Sequence, residues 1–366
     1  MTRALAFLPG PLPESFGPSF ARLRWTRAVD PERVALWEPL SDAREAVHGA
    51  SSWVVVLEPS ALPAGGTVPE PPAGSIARSE PSAPASPPFV HTLRELEGAR
   101  VARAGADAPG RSAISFRTRD FPPAEGETVE AFLARLAASA AAQDDPRFPV
   151  IRFEDPSHRE RPELTRRLPP GPLRILDVGC GAGAGIAAAR ARHPAWSVTG
   201  IERDPVLAGR ARRLCDRVVE GDLAEVLPLL AASGQRFDAI VFADVLEHME
   251  DPVSALRQGL AVAESGGMLL ASVPNVGHLS IVRDLVAGRF DPVPAGLCDA
   301  SHLRWFSRSW LEEALAEAGW RVESVEGEQG APAPDADAFL ALADAWPGAD
   351  RESLRTYQWI AVCRAA

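Results

Sequence analysis

The sequence contains no lysine, one asparagine (Asn275), one tyrosine (Tyr357) and three methionines. Its surplus of Ala, Arg and Pro marks a GC-rich coding bias, which accounts for the missing lysine before any function does. The four cysteines (Cys180, Cys215, Cys298, Cys363) stand far apart with no CxxC pair. That spacing excludes a disulfide framework and a zinc knuckle, and it suits a reducing compartment. No run of about 18 apolar residues exists, so no segment reads as a membrane span. Positive charge is also in deficit: 38 Lys and Arg face 49 Asp and Glu, for a net charge of −11. A nucleic-acid binder usually shows a basic surplus, so the balance argues weakly against such a partner. The cluster Arg203, Arg210, Arg212, Arg213 and Arg217 reads as a solvated helix face. At the N-terminus, "MTRALAFLPGPLPESFG" has its apolar run cut by Pro9, Pro11 and Pro13. It makes a poor secretory leader, and the chain is expected to be cytoplasmic.

What is present is length and ordinary composition: 366 residues, 46% apolar and 24% charged, enough for two domains. Residues 1–148 read as a small α/β domain. "RVALWEP" and "SSWVVVLEP" are apolar strands with "LSDAREAVHGA" as a short helix between them. "HTLRELEGARVARAG" suggests a helix, "SAISFRTRD" a strand, and "TVEAFLARLAASAAA" a helix with Phe132, Leu133 and Leu136 on one side. Residues 63–88 are rich in Pro, Ala, Ser and Gly without periodicity, and are expected to form a linker or loop. No motif in this half names a chemistry.

From residue 149 to 366 the pattern alternates. "LRILDVG", "WSVTGIE", "RVVEGD", "FDAIVFAD" and "GGMLLASVPN" are apolar strands, spaced by helical stretches such as "AGIAAARARH" and "PVSALRQGLAVA". This implies a parallel sheet covered on both faces. "WRVESVEGE" and "TYQWIAVCRA" lack a crossover unit between them, so they are expected to close the sheet as an antiparallel pair.

The sharpest motif is "ILDVGCGAGAG" at residues 175–185. Gly179, Gly181 and Gly183 occupy the turn from the first strand into the first helix, where glycine lets backbone approach a ligand. Glu202 ends the second strand about 20 residues on, where a carboxylate takes the hydroxyls of a ribose. A bare glycine pattern is weak, and Gly179, Gly181 and Ala184 also satisfy the relaxed dinucleotide fingerprint. Three features separate the readings. Asp177 gives an acidic lead-in, suited to a cationic ligand rather than a pyrophosphate. "GDL" puts Asp222 after the third strand, where an adenine amino group can be bound. The fold is expected to end soon after the sheet, without a separate C-terminal domain for a dehydrogenase substrate.

Taken with "IERD", "FDAIVFADVLEHMEDP" and "HLRWFSRSWLEEALAEAGW", these motifs run in order over roughly residues 160–325. In that order they resemble the class I S-adenosylmethionine-dependent methyltransferases, and "HLRWFSRSWL" is similar to the branch with ubiquinone-type, glycan-linked and secondary-metabolite O-methyltransferases. The resemblance implies a Rossmann-like, seven-stranded, mostly parallel sheet with an antiparallel C-terminal strand. It also implies an in-line methyl transfer from S-adenosylmethionine to a hydroxyl of a sugar or secondary metabolite. By position, Asp177, Gly179, Gly181 and Gly183 would shape the loop around the methionine portion. Glu202 would bind the ribose, Asp222 and Leu223 the adenine, and Arg203 counts among the cofactor-binding residues. Ala243 and Asp244 would lie beside the methionine end and face the acceptor. An NAD(P)-dependent oxidoreductase and a methyltransferase-like scaffold without activity are the rival readings.

A hydroxyl acceptor needs a base. His248 and His302 are the candidates, with Asp244 beside them; His278 in "PNVGH" reads rather as a loop histidine. Asp244, Glu247, His248 and His302 also make a mixed O/N set that a divalent ion such as Mg²⁺ would use to lower a hydroxyl pKa, as some similar O-methyltransferases do. The sequence favours the base over the metal. Asp251 and Pro252 read as the N-cap and first turn of the next helix. The amphipathic stretch Leu279, Ile281, Val282, Leu285 and Val286 and the Pro/Gly-rich loop after it read as an insertion before His302; Arg283, Arg289, Phe290 and Trp305 read first as solvated face and core aromatics, and otherwise as an acceptor wall.

Overall fold

A computed structural model of the chain describes residues 3–7, 29, 33–38, 40–57, 61–63, 68, 70–79, 84–85, 113–145, 150–153, 160–293, 296–329 and 336–365. The chain divides into two units, Met1–Glu154 with Asp291–Ser301, and Asp155–Phe290 with His302–Ala366. The segment Asp291–Ser301, read from sequence as part of the insertion before His302, thus belongs to the first unit.

The first unit carries strands β1 (Arg3–Phe7), β2 (Arg33–Leu36), β3 (Ser52–Val56), β4 (Ala61–Pro63), β5 (Ile76–Ser79), β6 (Pro84–Ala85), β7 (Ala113–Arg117), β8 (Ala142–Asp145) and β9 (Val150–Phe153). Six form a sheet in the order β2-β1-β3-β7-β5-β8, and β4-β9-β6 form a smaller one. Every residue of β3 is buried, as an apolar "SWVVV" run requires. Trp53 meets Trp37 at 4.7 Å between ring centroids, and Phe116 meets Phe132 edge-on at 5.4 Å. The helix Val129–Ala138 turns Val129, Phe132, Leu133 and Leu136 into this core, and Thr128 caps it by accepting from Ala131 N at 3.2 Å. The short helix between β2 and β3 is Ala43–Ala46, capped by Asp42.

The Pro-rich stretch 63–88 corrects the sequence reading. It was expected as a linker, yet its described residues include β5, inside the main sheet, and β6, at the edge of the small one. Ile76 and Ala77 are buried there, a two-residue apolar step too short to register as periodicity. The stretch "HTLRELEGARVARAG" lies outside the described residues.

The second unit holds β10 (Leu173–Val178), β11 (Trp196–Glu202), β12 (Arg217–Glu220), β13 (Phe237–Ala243), β14 (Ala263–Pro274), β15 (Arg321–Gln329) and β16 (Thr356–Arg364). They form one seven-stranded sheet, ordered β12-β11-β10-β13-β14-β16-β15. The strands β10 to β14 pair parallel, whereas β16 runs antiparallel to both β14 and β15. This is the Rossmann-like sheet with the expected antiparallel pair. Alternate residues feed two cores, one per face. Leu176, Val178, Ile240, Phe242, Leu269 and Ala271 pack on one side; Ile175, Ala239, Val241 and Leu270 pack on the other. Burial on both faces is why these strands read as unbroken apolar runs.

One local expectation changes. "AGIAAARARH" does not form an α-helix: turns occupy 181–186 and a 3₁₀ helix spans Ala187–Ala191. Three glycines in five residues weaken the start of a helix, since each loses more backbone freedom than Ala would.

Candidate active site at the sheet switch point

From β10 the chain winds outward to β11 and β12, then crosses back to β13 on the other side of β10. A crevice opens at such a reversal, beyond the C-terminal ends of the two strands, and ligands of open α/β sheets bind there. The glycine loop leaves β10 on one side of it, and the "DVLEH" turn leaves β13 on the other.

Gly179 joins the two. Its φ is +69°, and a Cβ at this position would stand 2.7 Å from Val245 Cγ2. No larger residue fits, so the loop lies directly against the β13 turn. The loop is tied to the neighbouring strand through Gly179 N and Cys180 N, which donate to Ile201 O at 2.9 and 3.0 Å. Gly181 N donates to Glu202 Oε2 at 2.8 Å, and Asp204 N to Oε1 at 2.9 Å. Glu202 is buried, with its carboxylate fixed at the strand end. The next residue, Arg203, is exposed.

Asp222 follows β12 as expected and caps the helix Leu223–Ala232, its Oδ1 accepting from Ala224 N at 2.8 Å. Leu223 is half-buried, as is Ala243 at the end of β13. Asp177 is buried in the sheet, and desolvation pushes its pKa up to about 7, with Arg161 opposing the rise and Glu202 adding to it.

Asp244 sits at φ 55°, alone among described non-glycine residues in the left-handed region. That conformation costs roughly 1–2 kcal/mol and needs outside support. The support is a polar network. Arg161 Nη1 donates to Asp244 Oδ2 at 2.6 Å, Ser272 Oγ donates to Oδ1 at 2.8 Å, and Gln358 Nε2 donates to the same Oδ1. Arg161 Nη2 in turn donates to Gln358 Oε1 at 3.1 Å and to Ser272 Oγ at 3.4 Å, while its Nε donates to Glu163. Burial works against the Arg161 charge, but the carboxylates of Asp244 and Glu163 overcome it and hold the guanidinium protonated. Arg161, Ser272 and Gln358 carried no motif. The antiparallel course of β16 was a usable signal, because it brings that strand's first residues to the same edge as the ends of β10 and β13.

The two candidate histidines converge. Leu303 N and Arg304 N donate to Glu247 O at 2.8 and 3.0 Å, docking the "HLRWF" segment on the 3₁₀ turn Leu246–His248. His302 and His248 then meet edge-on at 4.9 Å between centroids. One ligand atom each of Glu247, His248 and His302 lies within 4.8 Å of the others. Asp244 is not in that group; it belongs to the Arg161 network instead. From His302 the rings continue to Trp305 at 5.6 Å and on to Phe290 at 4.8 Å.

Other polar residues hold loops. His278 caps the helix Leu279–Val286, its Nδ1 accepting from Ser280 N at 3.3 Å. Asn275 is buried and donates to Ser353 O and Thr356 O at 2.8 and 2.7 Å. Asp251 caps Pro252–Ala261, as its sequence position implied. The helix Leu279–Val286 departs from its predicted face: Arg283 and Asp284 are buried, whereas Leu285 and Val286 are exposed. The helix stops at Val286, so its last turn does not pack where the periodicity pointed.

The sequence profile of the methyltransferase domain matches residues 130–325. The chain belongs to this family. It is a class I S-adenosylmethionine-dependent methyltransferase, and the rival oxidoreductase reading falls. Over 174 residues this methyltransferase is 30% identical to the malonyl-[acyl-carrier protein] O-methyltransferase of Geobacter sulfurreducens, covering 46% of its own length and 64% of the relative's. It is 31% identical over 170 residues to a ubiquinone biosynthesis O-methyltransferase of Xanthomonas axonopodis pv. citri, covering 45% and 69%. A solved methyltransferase from Archaeoglobus fulgidus aligns at 17% identity and a TM-score of 0.40, over 53% of this chain and 86% of that one. No helix among the described residues is long and apolar enough to cross a membrane.

Proposed function

We propose that the second unit methylates a hydroxyl of a small molecule, a sugar or a secondary metabolite, with the acceptor at the histidine pair and the cofactor in the glycine crevice. The convergence of His248 and His302 beside the end of β13 carries this reading.

The donors and acceptors at the crevice fit S-adenosylmethionine. Each Glu202 oxygen accepts one backbone N–H, and a carboxylate has about four acceptor sites, leaving room for two ribose hydroxyls. Of the five N–H groups a guanidinium carries, four of those on Arg161 are engaged among the described residues, leaving one on Nη1 for the carboxylate end of the cofactor. Bound there, the cofactor supplies a methyl group already activated on a sulfonium. The protein's own task is to hold an acceptor oxygen in line with that methyl and to remove its proton. His248 or His302 takes the proton, and the Trp305–Phe290 rings offer the acceptor an apolar wall.

A second reading has one specific observation behind it. Glu247, His248 and His302 cluster closely enough to hold a divalent ion. One carboxylate and two imidazoles suit a borderline ion such as Zn²⁺ or Mn²⁺ better than Mg²⁺, which demands oxygen ligands.

Transfer of a labelled methyl from S-adenosylmethionine across a panel of hydroxylated acceptors, with and without EDTA, tests both. Transfer that survives thorough chelation supports the base. Transfer that chelation abolishes and added Mn²⁺ or Zn²⁺ restores supports the metal. Tight S-adenosylhomocysteine binding without transfer to any acceptor would favour a scaffold.

A further inference from the structure

Gln358 is the third residue of β16, paired with Pro274 of β14 and Glu328 of β15, and it is almost fully buried. Its side chain spans two opposite charges. Oε1 accepts from Arg161 Nη2 at 3.1 Å, and Nε2 donates to Asp244 Oδ1. The amide has only one chemically sensible orientation here, because a guanidinium only donates and a carboxylate only accepts. No other uncharged side chain of this length offers both functions at once. A glutamate would set a second anion against Asp244, and an aliphatic residue would leave both ends of the pair unmet.

We infer that Gln358 is a positioning residue for the cofactor: it keeps Asp244 on Nη1 alone, so that the fork of Arg161 presents its remaining N–H to the carboxylate end of the cofactor. This rests on the role proposed above for Arg161. Ser272 assists from β14, bonding to the same two partners. The consequence is selective. Gln358 matters to a ligand that carries an amino-acid end and is indifferent to one that lacks it.

Equilibrium titration of the full chain with S-adenosylhomocysteine and with 5′-methylthioadenosine, which has the adenosine and thioether but no amino acid, reads this directly. Gln358→Leu is expected to weaken S-adenosylhomocysteine about tenfold while leaving methylthioadenosine within about twofold. With an acceptor in hand, the KM for S-adenosylmethionine should rise while kcat at saturation stays within about twofold. Equal weakening of both ligands marks a merely structural residue and overturns the inference, as does no weakening of either. Arg161→Leu separates the layers. If it is selective and Gln358→Leu is not, only the inference about Gln358 falls; if Arg161→Leu is not selective either, the reading of Arg161 falls and takes Gln358 with it. Should Gln358→Leu fail to fold, the isosteric Gln358→Glu substitutes for it, with the same selectivity expected from repulsion of Asp244.

Discussion

The imidazole of His302 packs edge-on against that of His248, 4.9 Å away between centroids, because two backbone amides of the "HLRWF" segment hang on the carbonyl of Glu247. The contact joins segments that are distant in sequence at the end of β13, beside the glycine loop. It brings two imidazoles together next to the turn that leaves β13.

Replacing the base should slow transfer and spare cofactor binding. His248→Ala and His302→Ala are each expected to reduce turnover, the true base by ~10²–10⁴-fold, with S-adenosylhomocysteine affinity within about threefold of wild type. Steady-state kinetics and titration check this together. A variant that loses affinity and turnover in equal measure contradicts the assignment.

Glu202 should govern the adenosine side. Glu202→Gln keeps the shape but removes a charge-assisted acceptor, and binding of S-adenosylhomocysteine and methylthioadenosine should weaken alike, by roughly 10–100-fold. Unchanged affinity for both would mean the ribose lies elsewhere.

Behind the loop, Gly200 leaves space for sulfur. A Cβ there would stand 2.5 Å from Cys180 Sγ and 3.4 Å from Cys215 Sγ. Gly200→Ala is therefore expected to destabilise the protein by about 1–3 kcal/mol through overpacking, visible as a lower melting temperature. Adding Cys180→Ala should recover much of it. A double variant no more stable than Gly200→Ala would show that the sulfur is not the obstacle.

Asp177 predicts a pH signature. Burial raises its pKa to about 7 from the ordinary carboxylate value of 3.8, so between those limits the folded chain binds more protons than the unfolded one. Stability linked to this group is then greatest below about pH 4 and declines as pH rises through 7. Asp177→Asn, which mimics the protonated form, should stabilise the chain most at pH 8 and lose that advantage toward pH 4. Thermal melts over this range decide it; a difference that is flat with pH contradicts it.

The parts legible in sequence were the local ones. Gly179, the apolar runs of β10 to β14 and the Asp251–Pro252 cap each announce themselves within a few residues, because turn geometry, two-sided burial and capping are short-range demands. The Arg161 network was not legible. Arg161 is 83 residues from Asp244 and 197 from Gln358, and only the closed sheet brings them together. Asp244 illustrates the difference: its spacing grouped it with Glu247 and His248, but its left-handed backbone turns it toward Arg161. In the first unit, β5 hid inside a stretch whose composition argued for a linker.

The most direct measurement is methyl transfer from S-adenosylmethionine labelled with ¹³C at the methyl, followed by NMR of products from a panel of sugars and hydroxylated metabolites. An O-methyl carbon signal is expected with the wild-type chain, and its loss in the His248→Ala, His302→Ala double variant. A signal on nitrogen, sulfur or carbon, or an O-methyl signal undiminished in the double variant, would contradict it.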